Sequence, residues 1–234
     1  MREMKKHGIR KSGLLITSTV VRSNIENLTK LLKGHNWAIV GSIASQIWAY
    51  YLTGSTIFCR PTDNMNIVGV DIMDIIEDNF GVLSSGFSSD DRREINFLVS
   101  YTPKFRLNVI SYSSPWMIDG FDRIKIVKIW NREIPVVSME DIIIKKLLMD
   151  RIEDEVDVIN MFRAYQRYLR SLIVNNQEQN VKLSFKLMRD IIESEYAGFE
   201  DEFEERLREI LKVDFELLEK FEDKPREMIK LLTV

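Results

Sequence analysis

Arg60-Pro61-Thr62-Asp63-Asn64-Met65-Asn66-Ile67-Val68 decides how this chain reads. A strand over about 64–70 is expected from it, and residues i and i+2 of a strand project from one face. Asn64 and Asn66 should therefore point together, while Asp63 faces away from them. Upstream, Trp37-Ala38-Ile39-Val40-Gly41-Ser42 reads as an apolar strand over 37–41 that runs into a small-residue turn. A helix follows, with Ile43, Ile47, Trp48 and Tyr51 on one side.

The ordered set of strand, Gly-Ser, helix and Arg-x-Thr resembles the nucleotidyltransferase (polymerase-β-like) superfamily. That family's core continues as Arg-x-Thr-x-Asp-hydrophobic-Asp. Arg60 and Thr62 match the lead-in, but Asn64 and Asn66 stand where two metal-binding aspartates belong. The family draws a third carboxylate from a neighbouring strand. The matching segment here, Arg106-Leu107-Asn108-Val109-Ile110, presents Asn108. All three expected carboxylates are amides. Nucleotidyl transfer needs Mg²⁺ to neutralise the triphosphate and activate the attacking hydroxyl. Mg²⁺ is held by protein carboxylates together with substrate phosphates, and an Asn carbonyl brings no charge.

A second stretch carries the resemblance further. Residues 133–157 resemble the helix of minimal nucleotidyltransferases and of the abortive-infection toxin branch, Ser-x-Glu-Asp-Leu-Ile-x-x-Lys-Leu-x-Ala-x-Arg-x-x-Asp-x-x-Asp. Ser138, Glu140, Asp141, Lys146, Leu147, Arg151, Asp154 and Asp157 match, and Met149 replaces the small residue. In the family this helix borders the nucleotide cleft, which makes Lys146 and Arg151 candidates for phosphate contact. Read as one helix, the two lie about 140° apart at 100° per residue. Asp154 pairs naturally with Arg151 at i,i+3, and this structural use of Asp154 and Asp157 is preferred to catalysis. Together the matched segments cover roughly residues 37–160.

Composition supports an ordinary folded chain. It has 234 residues, 45% hydrophobic and 29% charged, enough for one large or two small domains with a substantial core. No run of about 18 apolar residues suggests a membrane span. The N-terminal sequence does not read as a signal peptide, and with the lone Cys59 the expected location is the cytoplasm. One Cys with only His7 and His35 leaves little for a zinc site. The net charge of −3 is uneven. Residues 1–12 form a basic arm (Arg2, Lys5, Lys6, Arg10, Lys11 against Glu3), read as a solvated terminus for want of interleaved aromatics. Residues 199–223 are acidic and read as the outer face of helices.

The expected fold class is α+β. A nucleotidyltransferase-like mixed sheet flanked by helices fills residues 1–138, and a helical domain fills 139–234. Leu14–Val21 reads as a strand or extended packing segment, and Ser23-Asn24-Ile25-Glu26 as a capping box opening a helix to about Leu32. Further strands are expected near 94–101 and 105–112, joined by a turn containing Pro103, with a hairpin over 124–137 around Asn131-Arg132. Asp71 and Asp74 read as caps or first-turn acids of a helix over about 72–80. From Glu140 the pattern is helical to the end, broken at Asn175–Asn180, Gly198 and Pro225. The stripes Phe199, Phe203, Leu207, Ile210, Leu211 and Phe215, Leu218, Phe221 read as core.

Two functional classes follow. The first is a degenerate, catalytically inactive protein of the nucleotidyltransferase fold that binds a nucleotide, an RNA end or a protein partner. Its binding residues would be Gly41, Ser42, Arg60, Thr62, Lys146 and Arg151, with no metal and no cofactor. A strand-to-helix turn such as Gly41-Ser42 suits phosphate through free backbone N–H groups and the helix dipole. The alternative is an active, toxin-like, Mg²⁺-dependent enzyme modifying RNA or protein, with relocated carboxylates such as Asp63 with Asp71 or Asp74. The helical half offers a surface for a protein partner or a homo-oligomer, and a scaffold using it for assembly is a third class.

Overall fold

The computed structural model describes residues 13–80, 82–87, 92–101, 104–149 and 151–232. The basic arm of residues 1–12 and the Pro103 turn lie outside the described residues. The expected α+β class holds. A mixed seven-stranded sheet with flanking helices is followed by a C-terminal helical region.

Helix α1 (Thr19–Leu31) precedes strand β1 (Trp37–Val40), which runs directly into helix α2 (Gly41–Thr53). Strand β2 (Asn64–Val70) lies antiparallel to β1, with Val40 opposite Asn66. A short helix α3 (Met73–Glu77) leads to strands β3 (Val82–Phe87), β4 (Arg92–Tyr101) and β5 (Lys104–Tyr112). β5 pairs parallel with β2, and the register sets Asn108 directly beside Asn66. The hairpin of β6 (Lys125–Ile129) and β7 (Arg132–Val136) joins through a parallel bridge from Val136 to Ile39, so the sheet order is β3-β4-β5-β2-β1-β7-β6. Trp130 and Asn131 both have positive φ, as a two-residue turn between twisted strands requires.

Six helices follow: α4 (Met139–Leu148), α5 (Ile152–Asn175), α6 (Phe185–Glu195), α7 (Glu200–Leu211), α8 (Phe215–Phe221) and α9 (Pro225–Leu231). One continuous set of buried apolar side chains runs from Ile39, Ile67 and Leu107 of the sheet to Phe162, Phe185 and Phe203 of the helices. Trp48 of α2 donates its indole N–H to the Val137 carbonyl at 2.9 Å, fixing α2 against the chain that enters α4.

Several local expectations are corrected. Helix α1 begins at Thr19, with the Ser18 hydroxyl accepting from Val21 N–H at 3.2 Å, so Ser23–Glu26 lies inside the helix. The reason is burial. Starting at Ser18 puts Val21, Ile25 and Leu28 on one core-facing stripe. Residues 14–21 accordingly hold only a single bridge from Leu14 to Thr62 before the helix starts. The expected helix over 72–80 is the five-residue α3; Asp74 lies in its first turn, whereas Asp71, at φ 50°, sits in the tight turn after β2. The expected continuous helix is instead two, α4 ending at Leu148 and α5 starting at Ile152, with Arg151 extended (φ −113°, ψ 139°) at the N-cap of α5. Lys146 and Arg151 therefore belong to different helices. Tyr51 and Phe199 are exposed, outside the stripes drawn for them; Phe203, Leu207, Leu211, Phe215 and Leu218 are buried as expected.

Candidate functional site

The start of α2 is where the sequence-identified residues meet. Gly41 has φ +68°, and a Cβ there would stand 2.9 Å from Asn66 Nδ2. Glycine is thus favoured by backbone conformation, and any larger residue would also have to push the Asn66 amide aside. No side chain caps the helix, since its N-cap is Val40. The first-turn N–H groups of a helix have no intrahelical partner.

On the sheet side the three asparagines form one hydrogen-bonded cluster. Thr62 Oγ1 donates to Asn64 Oδ1 at 3.0 Å. Asn66 Oδ1 then accepts from Asn64 Nδ2 at 3.3 Å and from Asn108 Nδ2 at 2.7 Å. Period two along β2 and the parallel register with β5 produce this convergence. The cluster does not fit Mg²⁺. The ion takes hard, largely anionic oxygen ligands, and this set is neutral. Asn64 Oδ1 and Asn66 Oδ1 are already engaged, while Asn108 Oδ1 is buried without a partner.

On the helical side the charges gather. Lys146 Nζ of α4 bridges Asp154 Oδ1 at 2.7 Å and Asp157 Oδ2 at 2.8 Å, with all three side chains buried. Arg60 grips Asp157 through two bonds of 2.9 Å, one from Nε to Oδ1 and one from Nη2 to Oδ2. The Ser42 hydroxyl donates to Asp157 Oδ2 at 3.0 Å and accepts from Arg60 Nη2 at 2.9 Å. Arg151, its side chain 60% exposed, is bonded to Asp154. Burial pushes the Asp154 carboxyl up, yet the bonds from Arg151 and Lys146 outweigh it and hold the group below its ordinary range. Burial likewise works to lower the Arg60 pKa, and Asp157 reverses this, keeping the guanidinium firmly charged. Next to Arg60, burial and the charge of Asp157 push the Cys59 thiol up to about 12, so it is no nucleophile at neutral pH.

Of the six residues assigned to binding, Gly41, Ser42, Arg60, Thr62 and Lys146 converge around the start of α2, and Arg151 stands at the rim. Arg60 and Lys146 are bound to carboxylates of this chain, and the Thr62 hydroxyl is turned into the amide cluster. Arg151 and Asp154 form the expected i,i+3 pair. What sequence reasoning missed is Asp157 as the shared partner of Ser42, Arg60 and Lys146. The matched Lys and the spaced aspartates were the available signal, but their meeting with residues 42 and 60 is tertiary. The Arg106–Asp63 pair at 3.4 Å, across the β5–β2 seam, was also unforeseen.

The alternative carboxylates are dispersed. Asp63 and Asp71 flank the two ends of β2, about 25 Å apart at ~3.3 Å per residue. Among the described residues, no group of three or more His, Cys, Asp or Glu side chains is placed to hold a metal ion. No described helix is long and apolar enough to cross a membrane. Comparison with protein-family models and with curated protein sequences gives no match for this chain.

Proposed function

We propose that this chain is a catalytically silent protein of the nucleotidyltransferase fold, binding a nucleotide or RNA end by its phosphates without transferring anything. One observation carries this reading. Asn64, Asn66 and Asn108 converge on neighbouring strands beside the Gly41–Ser42 turn, where a transferase needs carboxylates, and they are bonded to one another. The frame for phosphate remains in the uncapped first turn of α2, with Asn66 Nδ2 next to Gly41. The charge for metal does not. On this reading the protein works without Mg²⁺ and is cytoplasmic, in keeping with its single half-buried cysteine.

The experiment is calorimetry of each nucleoside triphosphate with the purified protein, first with Mg²⁺ and then with EDTA. Affinity that persists in EDTA is expected, together with no labelled nucleotide transferred to RNA, protein or the chain itself under Mg²⁺ or Mn²⁺. Affinity that requires the metal, or any transfer, overturns the silent reading in favour of the enzyme. No binding in either condition removes the nucleotide and leaves a protein partner on the helical half.

A further inference from the structure

Asp157 takes four hydrogen bonds on two oxygens, and its side chain is only 4% exposed. The donors are a guanidinium fork, an ammonium and a hydroxyl in the first turn of a 13-residue helix. That is the donor set a phosphate group takes, since arginine grips carboxylate and phosphate with the same bidentate geometry. We propose that Asp157 is an internal competitor: its carboxylate occupies the anion position of this site and closes the Ser42–Arg60–Lys146 donors to phosphate. A phosphate arriving at the start of α2 then meets backbone and amide donors in place of this charged set. The inference rests on the reading of the Gly41–Ser42 turn as a phosphate-binding turn.

Two features separate this role from simple bracing. Lys146 has a second buried carboxylate in Asp154, so Asp157 is not needed to neutralise it. Arg60 comes from the loop ahead of β2 with 24% of its side chain exposed, so solvent reaches the edge of the contact. Removing the Asp157 charge would leave Lys146 paired with Asp154 and release Arg60 and Ser42 together. No other carboxylate contacts Arg60 or Ser42 by hydrogen bond among the described residues.

The test is calorimetry of inorganic pyrophosphate, in EDTA, against the native protein, Asp157→Asn and Asp154→Asn. Asp157→Asn should bind at least about tenfold more tightly than the native chain, a shift of about 1.4 kcal/mol. Asp154→Asn keeps the competitor and should show no such gain. A folded Asp157→Asn protein that binds no more tightly overturns the proposal, and so does an equal gain in Asp154→Asn, which would mean a general charge effect. Should Asp157→Asn fail to fold, side-chain ¹⁵N NMR of the native protein decides. An Arg60 Nε–H signal unmoved by pyrophosphate supports the competitor, and a saturable shift refutes it. Failure of the functional reading looks different: Asp157→Asn would gain pyrophosphate binding while the native chain ignored every nucleotide.

Discussion

Two polar clusters flank the same helix start, and they solve the problem of buried polarity in opposite ways. The sheet side carries Asn64, Asn66 and Asn108, three neutral amides bonded to one another, with Asn108 Oδ1 left without a partner. The helical side carries Lys146, Arg60 and Arg151 against Asp154 and Asp157, a compact ionic set with its carboxylates buried. A neutral cluster can lose a member for the cost of a hydrogen bond. An ionic one cannot, because a partner removed leaves a charge in low dielectric. The difference teaches where this fold depends on polar chemistry for stability. It does so between the sheet and the helices, and much less within the sheet.

The sharpest way to break the comparison is Lys146→Met. It removes the ammonium between two buried carboxylates and should cost about 3–5 kcal/mol, read by chemical denaturation. Combining it with Asp154→Asn should recover part of that loss, since fewer charges are left uncompensated, and the coupling follows from the double-mutant cycle. A loss in the double variant equal to the sum of the two single losses would mean the network is not one unit.

Converting the neutral cluster into a charged one is the next test. Asn64→Asp, Asn66→Asp and Asn108→Asp together place three carboxylates in one site, which cannot all ionise without cost. The triple variant should melt below the native protein in EDTA and rise on addition of Mn²⁺, while the native protein stays indifferent to the ion. A native melting temperature that also rises with Mn²⁺ would point to a cation site elsewhere. Gly41→Ala probes the contact between the clusters more gently. It forces a side chain into φ +68° and against Asn66, for an expected loss of about 1–3 kcal/mol by thermal melting.

The amide cluster was legible because strand period and motif spacing are local: 64 and 66 share a face whatever the rest does. The α+β order was legible for the same reason, from Gly41-Ser42, the Asn131 turn and the long helical pattern after Glu140. The separate start of α5 at Ile152 was not. Met149 and Ile152 carry no breaker signal, and Arg151 leaves the helix in company with a bond to Asp154. For helix α1 the local motif points to a capping box at Ser23, and the start at Ser18 depends on the burial of Val21, which that motif does not carry. Strand β3 was unforeseen because Ser84-Ser85-Gly86 has weak strand preference and gains its place by pairing with β4. Asp157 was visible as an acid, but its three partners come from three separate segments.

The smallest expected effect is a slope, and it sets Asp154 against a second buried carboxylate. Burial raises the Glu140 pKa above its ordinary value, and the Ser184 N–H donating to Oε1 at 2.9 Å only partly relieves this. A carboxyl raised on folding contributes stability that is complete below the unfolded value of about 4.3 and is lost as pH rises through the folded value. Asp154, held low, behaves in reverse: its contribution is present above its unfolded value and disappears as pH falls through the folded one. Glu140→Gln keeps the acceptor for Ser184 while removing the titration. Melting temperatures of native and Glu140→Gln proteins should therefore diverge in favour of the variant as pH rises from acid to neutral. Their acid-side decline should stay parallel, because Asp154 is untouched. A variant whose advantage does not grow with pH would show that Glu140 meets enough donors to ionise freely inside the fold.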